Sequence, residues 1–128
     1  MTGGFTYDSG ALIAAERDQP RMWNLHERAL LRGVTPVVPA GVLTEVYRSG
    51  RQVNLARLLS GCRVEPLDED RARRAGALLG LCSVGTGAVD ASVAEGAMRR
   101  GDAVVTGNAE HILALAEGAG RKLAIIPI

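Results

Sequence analysis

Three acids in this chain stand where carboxylates can do metal chemistry. Asp8, in Thr6-Tyr7-Asp8-Ser9-Gly10-Ala11-Leu12-Ile13, sits where a short apolar run gives way to a helical one. Asp90, in Val89-Asp90-Ala91-Ser92-Val93-Ala94, repeats that placement at a second helix start, and Glu45 offers a third acid. Two carboxylates about 4 Å apart repel by ~4 kcal/mol at an effective dielectric of ~20, so acids that converge require a cation. Mg²⁺ suits them, because it takes oxygen ligands at about 2.0–2.1 Å and keeps waters for chemistry. Such an ion can polarise a phosphoryl oxygen and lower the pKa of an attacking water, which is the chemistry of phosphodiester hydrolysis.

Each of these residues also has a plain structural reading. Asp8, Asp90 and Asn108 are all suited to cap the helices that follow them, a side-chain oxygen accepting a backbone N–H. Glu45, beside Val42, Leu43, Val46 and Tyr47, falls outside the apolar arc of its helix, as an ordinary solvated glutamate would. His26 and His111 have no acidic or cysteine partner at ligand spacing and are expected in structural roles. Trp23 is expected as a core or interface anchor. The Arg71-Ala72-Arg73-Arg74 run and Arg99-Arg100 read as solvated helix faces, with phosphate tracking as the other use.

The elements that must position these groups alternate short β-rich runs with longer helical ones, the pattern of a parallel sheet covered on both faces. Strands are expected at Phe5–Asp8, Pro36–Pro39, Cys62–Pro66, Ala103–Thr106 and Leu123–Ile126. Helices are expected near 10–18, 20–32, 41–49, 52–60, 68–80, 90–100 and 109–118, with Gly33, Gly50, Gly61, Gly101 and Gly118 ending them. In an open parallel sheet the ligand crevice lies beyond the carboxyl ends of the strands. Asp8 ends the first strand and Thr106-Gly107-Asn108 the fourth, so neighbouring strands would turn both toward one crevice.

Composition bounds the rest. A length of 128 residues fits one domain spanning 1–128. The hydrophobic share of 47% argues against disorder, and 3% aromatics argue against a base-stacking platform. Net charge is +1, so any hold on nucleic acid must come from local patches. Residues 1–64 hold 8 arginines against 5 acids, whereas residues 65–128 hold 7 basic residues against 9 acids. Cys62 and Cys82, without CxxC or histidine partners, are expected as thiols of a reducing compartment. The opening Met1-Thr2-Gly3-Gly4 lacks the features of a secretory signal, and no run approaches the ~20 apolar residues of a membrane span. A cytoplasmic protein with no membrane association is expected.

Taken in order, several segments resemble the PIN-domain family, in particular the small VapC-like toxins of bacterial type II toxin–antitoxin pairs. The likeness starts at Tyr7-Asp8-Ser9-Gly10-Ala11-Leu12-Ile13-Ala14-Ala15-Glu16 and passes through Val37-Val38-Pro39-Ala40, the Glu45 helix and Val64-Glu65-Pro66-Leu67. It continues through Val89-Asp90-Ala91-Ser92-Val93-Ala94 and Val104-Val105-Thr106-Gly107-Asn108 to Leu123-Ala124-Ile125-Ile126-Pro127.

The resemblance implies a three-layer α/β/α sandwich on a five-stranded parallel sheet in the order 3-2-1-4-5. It also implies Mg²⁺- or Mn²⁺-dependent endoribonuclease activity on an RNA substrate, homodimerisation, and an antitoxin that inserts a segment into the acidic groove. Met22, Trp23 and Leu25 are the contacts expected of a dimer. On this likeness Asp8, Glu45 and Asp90 take the family's first three acidic positions, as catalytic residues and metal ligands. Asn108 takes the fourth, where an aspartate is usual, and Thr106 keeps the accompanying hydroxyl. The amide removes one negative charge, so weaker metal binding is expected. Glu110 is a candidate substitute, and Gly87 stands where relatives often carry a further acid. The alternative reading is a PIN-like binding module with little or no catalysis. Nucleotide binding has less support, since neither GxGxxG nor a P-loop occurs in the first strand–helix turn.

Overall fold

The computed structural model describes residues 3–128; of the opening segment, Met1 and Thr2 lie outside them. The strands are β1 (Phe5–Tyr7), β2 (Val37–Pro39), β3 (Arg63–Glu65), β4 (Ala103–Thr106) and β5 (Ile125–Pro127). All pair in parallel, in the order β3-β2-β1-β4-β5. The helices are α1 (Ser9–Glu16), α2 (Pro20–Leu31), α3 (Ala40–Val46), α4 (Val53–Ser60), α5 (Glu69–Leu81), α6 (Ala88–Arg100) and α7 (Ala109–Gly118). This is the sandwich and the strand order that the resemblance implies. β1 is central: Thr6 pairs with Val37 on one side and Val104 on the other, and Tyr7 pairs with Val105.

The core is aliphatic, as the low aromatic content requires. Leu12, Val38, Val42, Leu55, Val93 and Val104 are among its buried members. Helix α6 is buried from Ala91 to Met98, because small residues let it lie close on the sheet. Tyr7 is fully buried, and its hydroxyl bonds Nδ1 of the buried His26 at 2.9 Å. Burial pushes the tyrosine pKa up and the histidine pKa down, so the hydroxyl donates to a neutral ring. Burial likewise pushes the Cys62 thiol up to about 12.

Several boundaries differ from the sequence expectation for local reasons. Asp8 leaves β1 because it is the N-cap of α1, its Oδ1 accepting the Ser9 N–H at 2.7 Å. Helix α3 stops at Val46 rather than running to 49. Tyr47 is extended, Ser49 has φ 62°, and the Arg48 guanidinium folds back onto the carbonyls of Thr44, Glu45 and Tyr47. Helix α6 begins at Ala88 with Gly87 as its cap, so Asp90 lies inside the first turn and is not an N-cap. Glycine ends α6 in the left-handed conformation at Gly101 and follows α2 so at Gly33, as expected. After α7 that conformation falls to Gly120, whereas Gly118 is the helix's last residue and lies against the Leu81 carbonyl.

The arginine pairs expected to be solvated divide. Arg73 and Arg74 are exposed and pair with Glu69 and Asp70 one turn away. Arg99 and Arg100 turn inward instead. Arg99 bonds Glu95 and Glu65, while Arg100 reaches Glu65, Asp102 and the Thr6 hydroxyl. Their partners lie on other strands and turns, out of sight of helical periodicity. Met22, a candidate dimer contact, is wholly buried in this chain's own core. Trp23 donates its indole N–H to the Ala15 carbonyl and lies under the Arg57 guanidinium.

Candidate functional site

The carboxyl ends of β1 and β4 are adjacent, and each is extended by one polar residue held through the other strand. The Asp8 N–H bonds the Val105 carbonyl, and the Thr106 hydroxyl donates to Asp8 Oδ2 at 2.8 Å. The same hydroxyl accepts the Asn108 N–H at 2.9 Å, so Thr106 links the Asp8 carboxylate to the start of α7. This join needs two glycines. A Cβ on Gly10 would fall 2.5 Å from the Gly107 backbone nitrogen, so α1 can start beside the β4–α7 turn only without a side chain there.

Asp8 is 2% exposed. Burial raises its pKa; bonds from the Thr106 hydroxyl and the Ser9 amide oppose the rise, and the negative charge of Asp90 adds to it. That mutual repulsion places the two aspartates in one electrostatic basin. Asp90 comes to it from the first turn of α6, on the opposite side of the sheet's carboxyl edge.

His111 joins the group from α7. Its Nδ1 lies 3.3 Å from Asp90 Oδ2 and 2.8 Å from the Asn108 amide nitrogen. Protonated, that nitrogen donates to Asp90; bare, it accepts from the amide. The structural role expected for His111 is therefore corrected: it stands between two of the candidate site residues. The signal that could have found it is its place three residues after Asn108, one turn along the same helix face. Asn108 occupies the N-cap position of α7, yet its side chain makes no capping bond and turns to His111 instead.

Glu45 is placed differently. It is exposed on α3 and lines a shallow groove with Ile13, Glu16, Arg17, Arg48 and Gln52. Its carboxylate makes no hydrogen bond or ion pair among the described residues. The N-terminus of α3 does approach α6, with Gly41 facing Val89 and Ser92, but Glu45 lies about 6 Å further along the helix axis. Glu110 is exposed in the first turn of α7 and forms no bond with Asn108 among the described residues.

The structure thus brings together Asp8, Asp90 and Asn108 with Thr106 and His111, and leaves Glu45 on the flank. Among the described residues no group of three or more histidine, cysteine, aspartate or glutamate side chains is set to hold a metal ion. What remains is a pair of carboxylates with a neutral amide. Such a pair fits Mg²⁺, which is held through one or two carboxylates when substrate phosphate and water supply the other oxygens. The repulsion felt at Asp8 is the property of this structure that a divalent cation would relieve.

No family model and no curated protein sequence matches the chain. Solved structures do. A structure of VapBC2 from Rickettsia felis bound to a DNA fragment from their promoter superposes with a TM-score of 0.74 at 16% identity, covering 98% of this chain and 98% of that one. DNA-bound VapBC from Salmonella typhimurium gives 0.66 at 21% identity, covering 99% and 98%. FitAB bound to an IR36 DNA fragment gives 0.60 at 17% identity, covering 96% and 94%. The chain has the PIN-like fold of the VapC type along nearly its whole length.

Proposed function

We propose that this protein is a Mg²⁺- or Mn²⁺-dependent endoribonuclease acting as the toxin of a toxin–antitoxin pair. The observation that carries the reading is the buried Asp8 carboxylate, raised in pKa by burial and by Asp90, at the carboxyl edge of a PIN-like sheet. Asp8 and Asp90 hold the ion, and Asn108 assists as a neutral oxygen donor. When bound, the ion lowers the pKa of a water and offsets charge on the phosphoryl oxygens. Thr106 and the Ser9 N–H fix the orientation of the Asp8 carboxylate, and His111 sits within proton-exchange distance of Asp90. Glu45 contributes from the flanking groove, where it meets the substrate rather than the first ligand positions. The VapBC and FitAB likenesses support a cognate antitoxin as partner. A homodimer and a cytoplasmic location belong to the same reading; among the described residues, no helix is long and apolar enough to cross a membrane.

The test is a time course with labelled RNA. Cleavage should require Mg²⁺ or Mn²⁺ and fall at least a hundredfold in Asp8→Asn and Asp90→Asn. Equal cleavage in EDTA would end the proposal. The amide at 108, engaged by His111, favours a second reading in which the chain binds RNA or an antitoxin with little catalysis. Asn108→Asp separates the two, since cleavage appearing only in that variant supports the weakly catalytic module.

A further inference from the structure

The nuclease reading leaves open where the RNA lies, and the distribution of unpaired arginines answers it. Ion pairs take up Arg63, Arg71, Arg73, Arg74, Arg99 and Arg100. Arg17, Arg21, Arg28 and Arg32 enter no ion pair among the described residues, and all four are exposed. Arg21, Arg28 and Arg32 are seven and four residues apart, so they share one stripe of α2 within about 40° of arc, spaced by ~10 and ~6 Å along the axis. Glu27, on the same helix, lies well off that stripe and acts on His26 instead.

The stripe borders the largest cavity of the described chain, about 770 Å³, which also has the apolar surfaces of Phe5, Leu25 and Leu31. The Arg32 guanidinium lies 5.8 Å from the centre of the Phe5 ring. Arg17 continues the row toward the candidate site. It lines a second groove with Gly10, Pro20 and Gly107, residues next to Asp8, Arg21 and Asn108. A row of cations beside apolar surface suits a polymer with an anion on every unit and a flat base between, and arginine's planar fork matches phosphate oxygens.

We propose that Arg17, Arg21, Arg28 and Arg32 form a track along α2 that holds single-stranded RNA on one side of the scissile phosphate. The ligand class rests on the nuclease reading; the surface does not. The experiment measures binding of a fluorescein-labelled twelve-nucleotide single-stranded RNA to the full chain by anisotropy in EDTA, across a salt series. Arg28→Gln/Arg32→Gln should weaken binding at least tenfold and flatten the slope of log affinity against log salt by about 1.4, at ~0.7 per lost phosphate contact. Arg73→Gln/Arg74→Gln, on α5, should stay within twofold of the parent.

Parent-like affinity in Arg28→Gln/Arg32→Gln overturns the track, as does a parent that binds no RNA. The same double variant keeping RNA affinity while losing poly-L-glutamate binding overturns it too, by marking an acidic-peptide surface. Cleavage in Mg²⁺ is scored separately. A parent that cuts nothing, yet loses RNA affinity in Arg28→Gln/Arg32→Gln, upholds the track and removes the nuclease reading alone.

Discussion

Asp8 carries a conflict between stability and chemistry. A carboxylate 2% exposed and facing a second aspartate is held ionised at a cost to the fold. Because its folded pKa is raised, the folded chain holds this proton more tightly than the unfolded chain. The penalty is therefore absent below the ordinary aspartate pKa of ~3.9, grows as pH rises from there, and is complete above the folded pKa. Asp8→Asn should raise Tm by a few degrees at pH 7 in EDTA, and the gain should shrink toward zero near pH 4. Mg²⁺ should raise the Tm of the parent and leave that of the variant unchanged, since only the parent binds the ion. Thermal melts at the two pH values, with and without Mg²⁺, check both statements. A variant less stable than its parent at pH 7 would show that the Thr106 and Ser9 bonds outweigh the burden of burial. The adjacent His111–Asn108–Asp90 contact has no such conflict, because a histidine 42% exposed in its side chain exchanges its proton with water.

At the scale of elements, the site depends on how closely α1 approaches the β4–α7 turn. Gly10→Ala would set a Cβ 2.5 Å from the Gly107 nitrogen, and backbone must move to admit it. Overpacking of this kind costs about 1–3 kcal/mol. The displaced turn carries Thr106 and Asn108, so cleavage should fall further than stability does, at least tenfold at a temperature where the variant is fully folded. Denaturant titration beside the RNA time course checks the split; equal losses would mean a general loosening. This dependence also shows what the sequence made legible. Strand and helix identities followed from apolar periodicity, and the strand order from the resemblance. Asp8 and Thr106 could be placed at neighbouring strand ends because each closes its own strand. His111 could not be placed so, since its meeting with Asp90 needs α6 and α7 to converge across 21 residues of chain. Glu45 stayed equivocal, because a helical acid outside the apolar arc looks the same whether it faces a cleft or open water. Arg99 and Arg100 were misread for a related reason: Glu65, which draws them inward, lies 34 and 35 positions away.

Across the whole molecule, that glutamate joins the elements that the site leaves apart. Glu65 ends the edge strand β3 and receives Arg99 and Arg100 from α6 and Arg71 from α5. Arg100 continues to Asp102 at the start of β4 and to Thr6 in the central strand. Burial alone would raise the Glu65 pKa, but the Arg99 hydrogen bond and the Arg100 charge bring it down to about 2. A depressed carboxylate stabilises the fold above its unfolded pKa of ~4.3, and that contribution is lost as pH falls from there toward about 2. Glu65→Ala would leave two guanidiniums partly buried without their shared partner, which costs about 3–5 kcal/mol. The exposed Glu69→Ala, which breaks only an i,i+4 pair with Arg73, should cost about 0.3–0.5 kcal/mol. Urea denaturation of both variants at pH 7 tests the difference. A repeat at pH 3 tests its origin, because the gap between Glu65→Ala and the parent should narrow there. A gap unchanged between pH 7 and pH 3 would mean that Glu65 supports the fold by packing rather than by charge. The network would then no longer explain how five elements outside the acidic cleft hold it in register.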